Sequence, residues 1–181
     1  YHGTPITPLS ALAEMAGRNF CVSFANPRDV ERCHSIGQSV LLDNGAFTFW
    51  RNGTETAPEW WDRYYDWAAP WLDYHTTWAV IPDVIDGTEW ENDYLLLRFC
   101  RKFGKQGAPV WHMHESLERL VRMSVGYERV CIGSSGTYSD PTSSSWRHRM
   151  DEAFNRLCPT SSKTPVPIHM LRAMKQACEG P

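Results

Sequence analysis

Ser39-Val40-Leu41-Leu42-Asp43-Asn44-Gly45-Ala46-Phe47 is the stretch whose reading decides the fold. Val40, Leu41 and Leu42 form an unbroken apolar run, the pattern of a strand buried on both faces by covering helices. The run ends in Asp43. Asn44-Gly45 then marks a sharp turn, because Gly adopts positive φ without steric cost and Asn tolerates it better than most. A carboxylate at the C-terminal end of a buried parallel strand stands where α/β folds keep their chemistry. Taken alone, Asp43 reads better as a turn or helix-cap residue. The repetition of polar strand ends along the chain is what points to a site.

Upstream, residues 2–6 read as a first, extended strand. Thr7 then caps a helix with Pro8 in its first turn, an apolar face of Leu9, Leu12, Ala13 and Ala16, and Gly17 as its stop. Residues 20–24 are the second strand, followed by a helix from Asn26-Pro27 to Gly37. Downstream, Thr56 and Glu59 have capping-box spacing ahead of a helix whose stripe of Trp61, Tyr64, Tyr65, Ala68, Trp71 and Leu72 reads as core. A fourth strand over 78–81 leads into Pro82-Asp83, with Asp86 close behind. Thr88 and Glu91 form a second capping box, and its helix runs through Tyr94, Leu95 and Phe99 to Gly104.

Residues 109–115 read as the fifth strand, with His112, His114 and Glu115 towards its end. Ser116 caps the next helix, built on Leu117, Leu120, Val121 and Val125. The sixth strand, 129–132, finishes in Gly133-Ser134-Ser135-Gly136, a run whose backbone N–H groups can face a ligand. A helix through Trp146, Met150, Phe154 and Leu157 stops at Pro159. A seventh strand over 166–171 runs into a short helix reaching Cys178. Strands alternating with helices through short connections imply parallel pairing and right-handed crossovers. Two architectures fit: an open doubly wound sheet, or a TIM-type (β/α) barrel. Polar residues ending four successive strands favour the barrel, as one domain over residues 1–181, short of its eighth strand.

Composition narrows the function classes. A chain of 181 residues with 42% hydrophobic and 22% charged residues has the make-up of a globular domain. No apolar run approaches the length of a membrane span, and no signal-peptide pattern opens the chain, so no membrane partner is expected. Six scattered cysteines without CxxC spacing read as reduced thiols in a cytoplasmic protein. A net charge of −3 carries no bulk signal for nucleic acid. Neither GxGxxG nor a GK[ST] phosphate loop is present, and no cofactor is implied.

The candidate site therefore comprises Asp43, Asp83, His112, His114, Glu115, Gly133 and Ser134. Carboxylates of this kind recognise the N–H edge of a purine-type base while another acts at a sugar carbon. Two other readings compete. His112 and His114, one residue apart on a strand, point to the same side, so a metal-dependent hydrolase with Asp43 or Asp83 completing the shell is an alternative. A non-catalytic nucleotide- or nucleic-acid-binding subunit is the other.

The order of these motifs resembles the tRNA-guanine transglycosylases, and most closely the related enzymes with which phages place 7-deazaguanine bases in DNA. Leu42-Asp43-Asn44-Gly45-Ala46-Phe47 is similar to that family's DSGGF segment. Pro82-Asp83-Val84 lies where the family has its base-recognising Asp. Residues 109–115 fall on the strand ending in a Gln-Gly pair, here replaced by His112-Met113-His114. Cys131-Ile132-Gly133 falls on the strand whose glycine backbone touches the base. The family's cysteine-rich zinc site has no counterpart, and no metal is expected. The resemblance implies a pentosyltransferase that exchanges or removes a guanine-type base in DNA or tRNA by attack at C1′. Asp43 is then catalytic, and Asp83, His112, His114, Glu115, Gly133 and Ser134 bind the base or sugar. The nucleophilic Asp of the family lies on an eighth strand. With seven strands read here, the expectation is a truncated product or a barrel completed by a second copy or a partner chain. The nucleophile is then missing unless Asp83, Asp86 or Glu115 replaces it.

Overall fold

The computed structural model describes residues 1–158 and 166–171. It is a mixed α/β structure whose chain divides into two compact units, Tyr1–Pro82 with Leu97–Gly107, and Asp83–Leu96 with Ala108 onwards. Each is described by itself.

In the first unit, β1 (His2–Gly3), β2 (Asn19–Ser23), β3 (Ser39–Asp43) and β4 (Thr77–Val80) lie side by side in chain order, with β5 (Gly107–Ala108) at the edge. The first four pair in parallel, with Asn19 opposite Ser39, Ser23 opposite Asp43 and Leu42 opposite Ala79. Helices α1 (Leu9–Glu14), α2 (Val30–Ile36), α3 (Ala46–Arg51) and α4 (Asp62–Leu72) fill the connections. Val40, Leu41 and Leu42 are almost wholly buried, as a strand covered on both faces must be. The stripe on α4 is core as its spacing implies: Tyr64, Tyr65, Ala68 and Leu72 are buried, while Asp62, Arg63 and Asp66 are exposed. The hydroxyl of Tyr64 lies 3.1 Å from the Leu42 carbonyl and 2.8 Å from that of Val80, at the ends of two adjacent strands.

In the second unit, β6 (Val110–His112), β7 (Val130–Gly133) and β8 (Ile168–Leu171) form a parallel sheet in chain order. Helices α6 (Leu117–Gly126) and α7 (Ser144–Leu157) belong to this unit, and α5 (Glu89–Phe103) begins in it. The core joins Trp111, Met113, Leu120, Met123, Val130, Ile132, Trp146 and Met150.

Several local expectations are corrected. The strand expected over 109–115 spans only Val110–His112, since Pro109 has no N–H to give to a ladder. A separate two-residue strand, 107–108, belongs to the five-stranded sheet and was not expected, so the described residues hold eight strand segments rather than seven. Strand β6 ends at His112, and residues 113–115 form a turn closed by Glu115 N–H to the His112 carbonyl at 2.8 Å. Thr7 makes no cap: Pro8 holds that position before α1 without a side-chain bond. Nor does Thr56, because the first turn before α4 starts one residue later, with Ala57 in the cap position and Pro58 next. The Thr88–Glu91 box does form, with Thr88 N–H to Glu91 Oε2 at 2.8 Å and Glu91 N–H to Thr88 Oγ1 at 3.3 Å. Ser116 caps α6 by accepting from Arg119 N–H. The helix read before Cys178 and the stop at Pro159 lie outside the described residues. Among those residues no helix is long and apolar enough to cross a membrane, and Cys21, Cys33, Cys100, Cys131 and Cys158 are free thiols.

Candidate functional site

Asp43 closes β3 in the first unit, half-buried, with Oδ2 accepting from Gly45 N–H at 3.1 Å. The turn itself is built by its neighbour. Asn44 is 3% exposed, donates from Nδ2 to the Ile81 carbonyl at 2.8 Å and accepts from Ala46 N–H at 2.8 Å. It thus ties the end of β3 to the end of β4 and starts α3. Gly45 has φ of 75°, and a Cβ there would meet Ala25 N and the Phe49 ring at 3.0 Å, so glycine is required twice over. Beside Asp43, burial and then the carboxylate's charge push the Cys21 thiol up to about 12, which leaves it unreactive.

The remaining candidates all lie in the second unit. Asp83, three residues beyond β4, and His112, the last residue of β6, are 5% and 1% exposed. His112 Nε2 stands 2.8 Å from Asp83 Oδ2, a charge contact whose angle falls short of a full hydrogen bond. Burial is the largest influence on His112 and pulls its pKa down. The contact with Asp83 and the negative charges of Asp83 and Glu115 outweigh it, against Arg119, so the imidazole keeps its proton above the ordinary histidine range. The other ring nitrogen, Nδ1, meets no hydrogen-bond partner among the described residues. It lies against Gly133, where a Cβ would come within 2.8 Å of it. Gly133 therefore makes room for the His112 ring, which the expected backbone contact with a base did not foresee.

Glu115 is 3% exposed and accepts three bonds within the fold. They come from His112 N–H at 2.9 Å, Asn92 Nδ2 at 2.9 Å and Arg119 Nη1 at 2.6 Å. Arg119, 2% exposed, also donates to the Val110 carbonyl and to Asp93. The Ser134 hydroxyl accepts from Trp146 Nε1 at 2.9 Å, binding the strand end to α7. His114 is exposed and stacks on His112, with ring centroids 5.6 Å apart and planes at 19°. Its Nε2 faces the Gly87 carbonyl at 3.1 Å, so that nitrogen carries the proton, while Nδ1 faces Ser135 Oγ at 3.0 Å. The two imidazoles stack although His114 lies in the turn beyond β6 rather than on the strand, and their nitrogens face different protein groups. Among the described residues no three His, Cys, Asp or Glu side chains gather as a metal shell. Asp86 is exposed.

Three contributors were missed in the sequence. Asn92 occupies the same face of α5 as buried Leu95 and Phe99, and a polar residue on an apolar stripe is a readable signal. Arg119 stands four residues after Glu115, the helical spacing of an ion pair. Arg149 donates to the carbonyls of Met113 and Glu115 at 2.9 and 2.7 Å while lying over the Trp111 ring. It clamps the 113–115 turn, and nothing local in the sequence announces it.

Comparison of the chain with protein-family models, curated proteins and solved structures finds no match.

Proposed function

We propose that this chain is a base-exchange pentosyltransferase domain of β/α-barrel type. The observation that carries this reading is the buried Asp83–His112 pair at strand ends. A base is recognised through its amino and imino edge, and buried polar partners discriminate such an edge strongly because a wrong ligand leaves them unpaired. Asp83 and His112 take that edge, with His114, Gly133 and Ser134 towards the base or sugar. Glu115, saturated by donors of the fold, supports them from behind. Asp43 is the carboxylate that acts at the sugar, as nucleophile or as acid and base.

In the covalent form of the reaction a carboxylate oxygen bonds to C1′ as the bond from C1′ to the base nitrogen breaks. The electron pair leaves with the base, which gains a proton. The incoming 7-deazaguanine or purine base gives up a proton, its nitrogen attacks C1′, and the carboxylate is released. Nucleic acid and the free base are the partners in this proposal.

The test is incorporation of labelled guanine and of a labelled 7-deazaguanine into DNA, tRNA and free nucleosides in parallel. Incorporation into one of them is expected, with loss in Asp43→Asn, whose amide oxygen still accepts from Gly45 N–H. No exchange or base release with any acceptor, or an Asp43→Asn protein as active as the parent, overturns the proposal.

A further inference from the structure

We propose that Asn92 is the positioning residue of the Asp83–His112 pair, holding both partners through a closed ring of buried contacts. The inference rests on reading that pair as the base-recognising element, and it assigns a residue that touches neither base nor sugar. Val84 N–H donates to Asn92 Oδ1 at 2.8 Å, which fixes the peptide leaving Asp83. Asn92 Nδ2 donates back to the Val84 carbonyl at 3.3 Å and across to Glu115 Oε1 at 2.9 Å. The other oxygen of Glu115 accepts from His112 N–H at 2.9 Å. His112 Nε2 against Asp83 Oδ2 at 2.8 Å closes the ring.

Asn92 is 2% exposed, so water does not compete for these bonds and each one lost leaves a buried group unpaired. Only a side-chain amide suits the position. It must accept from one N–H and donate to a carbonyl and a carboxylate; an Asp would set a second negative charge against Glu115, and an Ala would make none of the bonds. The charged and titratable groups facing His112 are Asp83 from the loop after β4, His114 and Glu115 from the turn after β6, and Arg119 from α6. Of these, Asn92 touches Glu115 and the peptide of Asp83. Its loss therefore loosens the carboxylate that keeps His112 protonated while leaving the Glu115–Arg119 pair in place.

The experiment is histidine-detected NMR titration of the full chain with Asn92→Ala and Asn92→Ser, checked for folding by circular dichroism. Folded variants in which His112 titrates at lower pH than in the parent, with His169 unmoved, are expected. Where base exchange is measurable, kcat falls by about a hundredfold with a smaller change in KM, as for a misplaced recognition group. An unchanged His112 titration in both folded variants overturns the proposal. So does failure of both to fold, since Asn92 then holds the unit together rather than the pair. A shifted His112 titration in a chain whose parent exchanges no base sustains the positioning role and counts against the exchange reading alone.

Discussion

At the scale of single residues, the polar groups of the second unit divide into those that hold and those that are held. Glu115 and Arg119 are 1% and 2% exposed at the side chain, so removing one partner strands a charge away from water. Arg119→Met is expected to cost about 3–5 kcal/mol, read by urea unfolding. Gly133 illustrates the opposite constraint. A methyl group there must displace the His112 ring, which is itself enclosed. Gly133→Ala is expected to cost about 1–3 kcal/mol by overpacking and to lower the pH at which His112 titrates, since the ring is pushed off Asp83. A Gly133→Ala protein as stable as the parent would mean that the ring has free space. That His112 and Glu115 belong near a strand end was legible from HMHE following an apolar run. That Asn92 takes Glu115 Oε1 was not, because Asn92 stands 23 positions away on α5, whereas the four-residue spacing to Arg119 was readable.

At the scale of elements, the end of β3 is the best test of how sequence becomes geometry. The DNG triplet divides its work: Asp43 takes one N–H, Asn44 bridges to β4 and starts α3, and Gly45 supplies the left-handed backbone. Asn44→Ala leaves a buried carbonyl and a buried N–H without these partners, and is expected to destabilise by about 1–3 kcal/mol in thermal and urea unfolding. Gly45→Ala is expected to cost more than about 1 kcal/mol, because its φ and the nearby Ala25 backbone both oppose a Cβ. Asp43→Asn changes stability least of the three, an ordering that separates the turn-building residues from the one proposed to do chemistry. That β6 starts at Val110 rather than at Pro109 was also legible in principle, since proline removes a ladder donor. The failed caps at Thr7 and Thr56 were not, because a cap depends on where the first turn begins, and a neighbouring proline decides that.

At the scale of the molecule, the Asp83–His112 contact writes itself into the pH dependence of stability. The folded state holds the His112 proton above its ordinary value of 6.5. Its contribution is therefore complete below 6.5 and is lost as pH rises through the raised value. His169 runs the other way: burial is the main cause that lowers it, so its contribution is complete above 6.5 and declines as pH falls. Between pH 6.5 and about 7.5, below the range where thiols ionise, unfolding free energy is expected to fall with pH. Asp83→Asn should flatten that slope, measured by urea unfolding across the window. A parent protein whose stability is level or rising there would show that His112 is not held protonated.

The sequence by itself determined the α/β class, the order of strands and helices, and which strand ends carry polar groups. Each of these is a local property, set by apolar periodicity, by glycine and proline, and by caps spaced three residues apart. Only the tertiary structure decided what the polar groups do there. Asn92 meets Glu115 across 23 positions, Arg149 meets the Met113 carbonyl across 36, and Asn44 meets the Ile81 carbonyl across 37. Such partners are chosen by the packing of separate elements, and hydrogen-bond chemistry at one position of a chain does not name its partner at another. Burial completes the distinction, because the same Asp and His exposed to water would keep nearly ordinary protonation, and only enclosure turns their approach into a held proton.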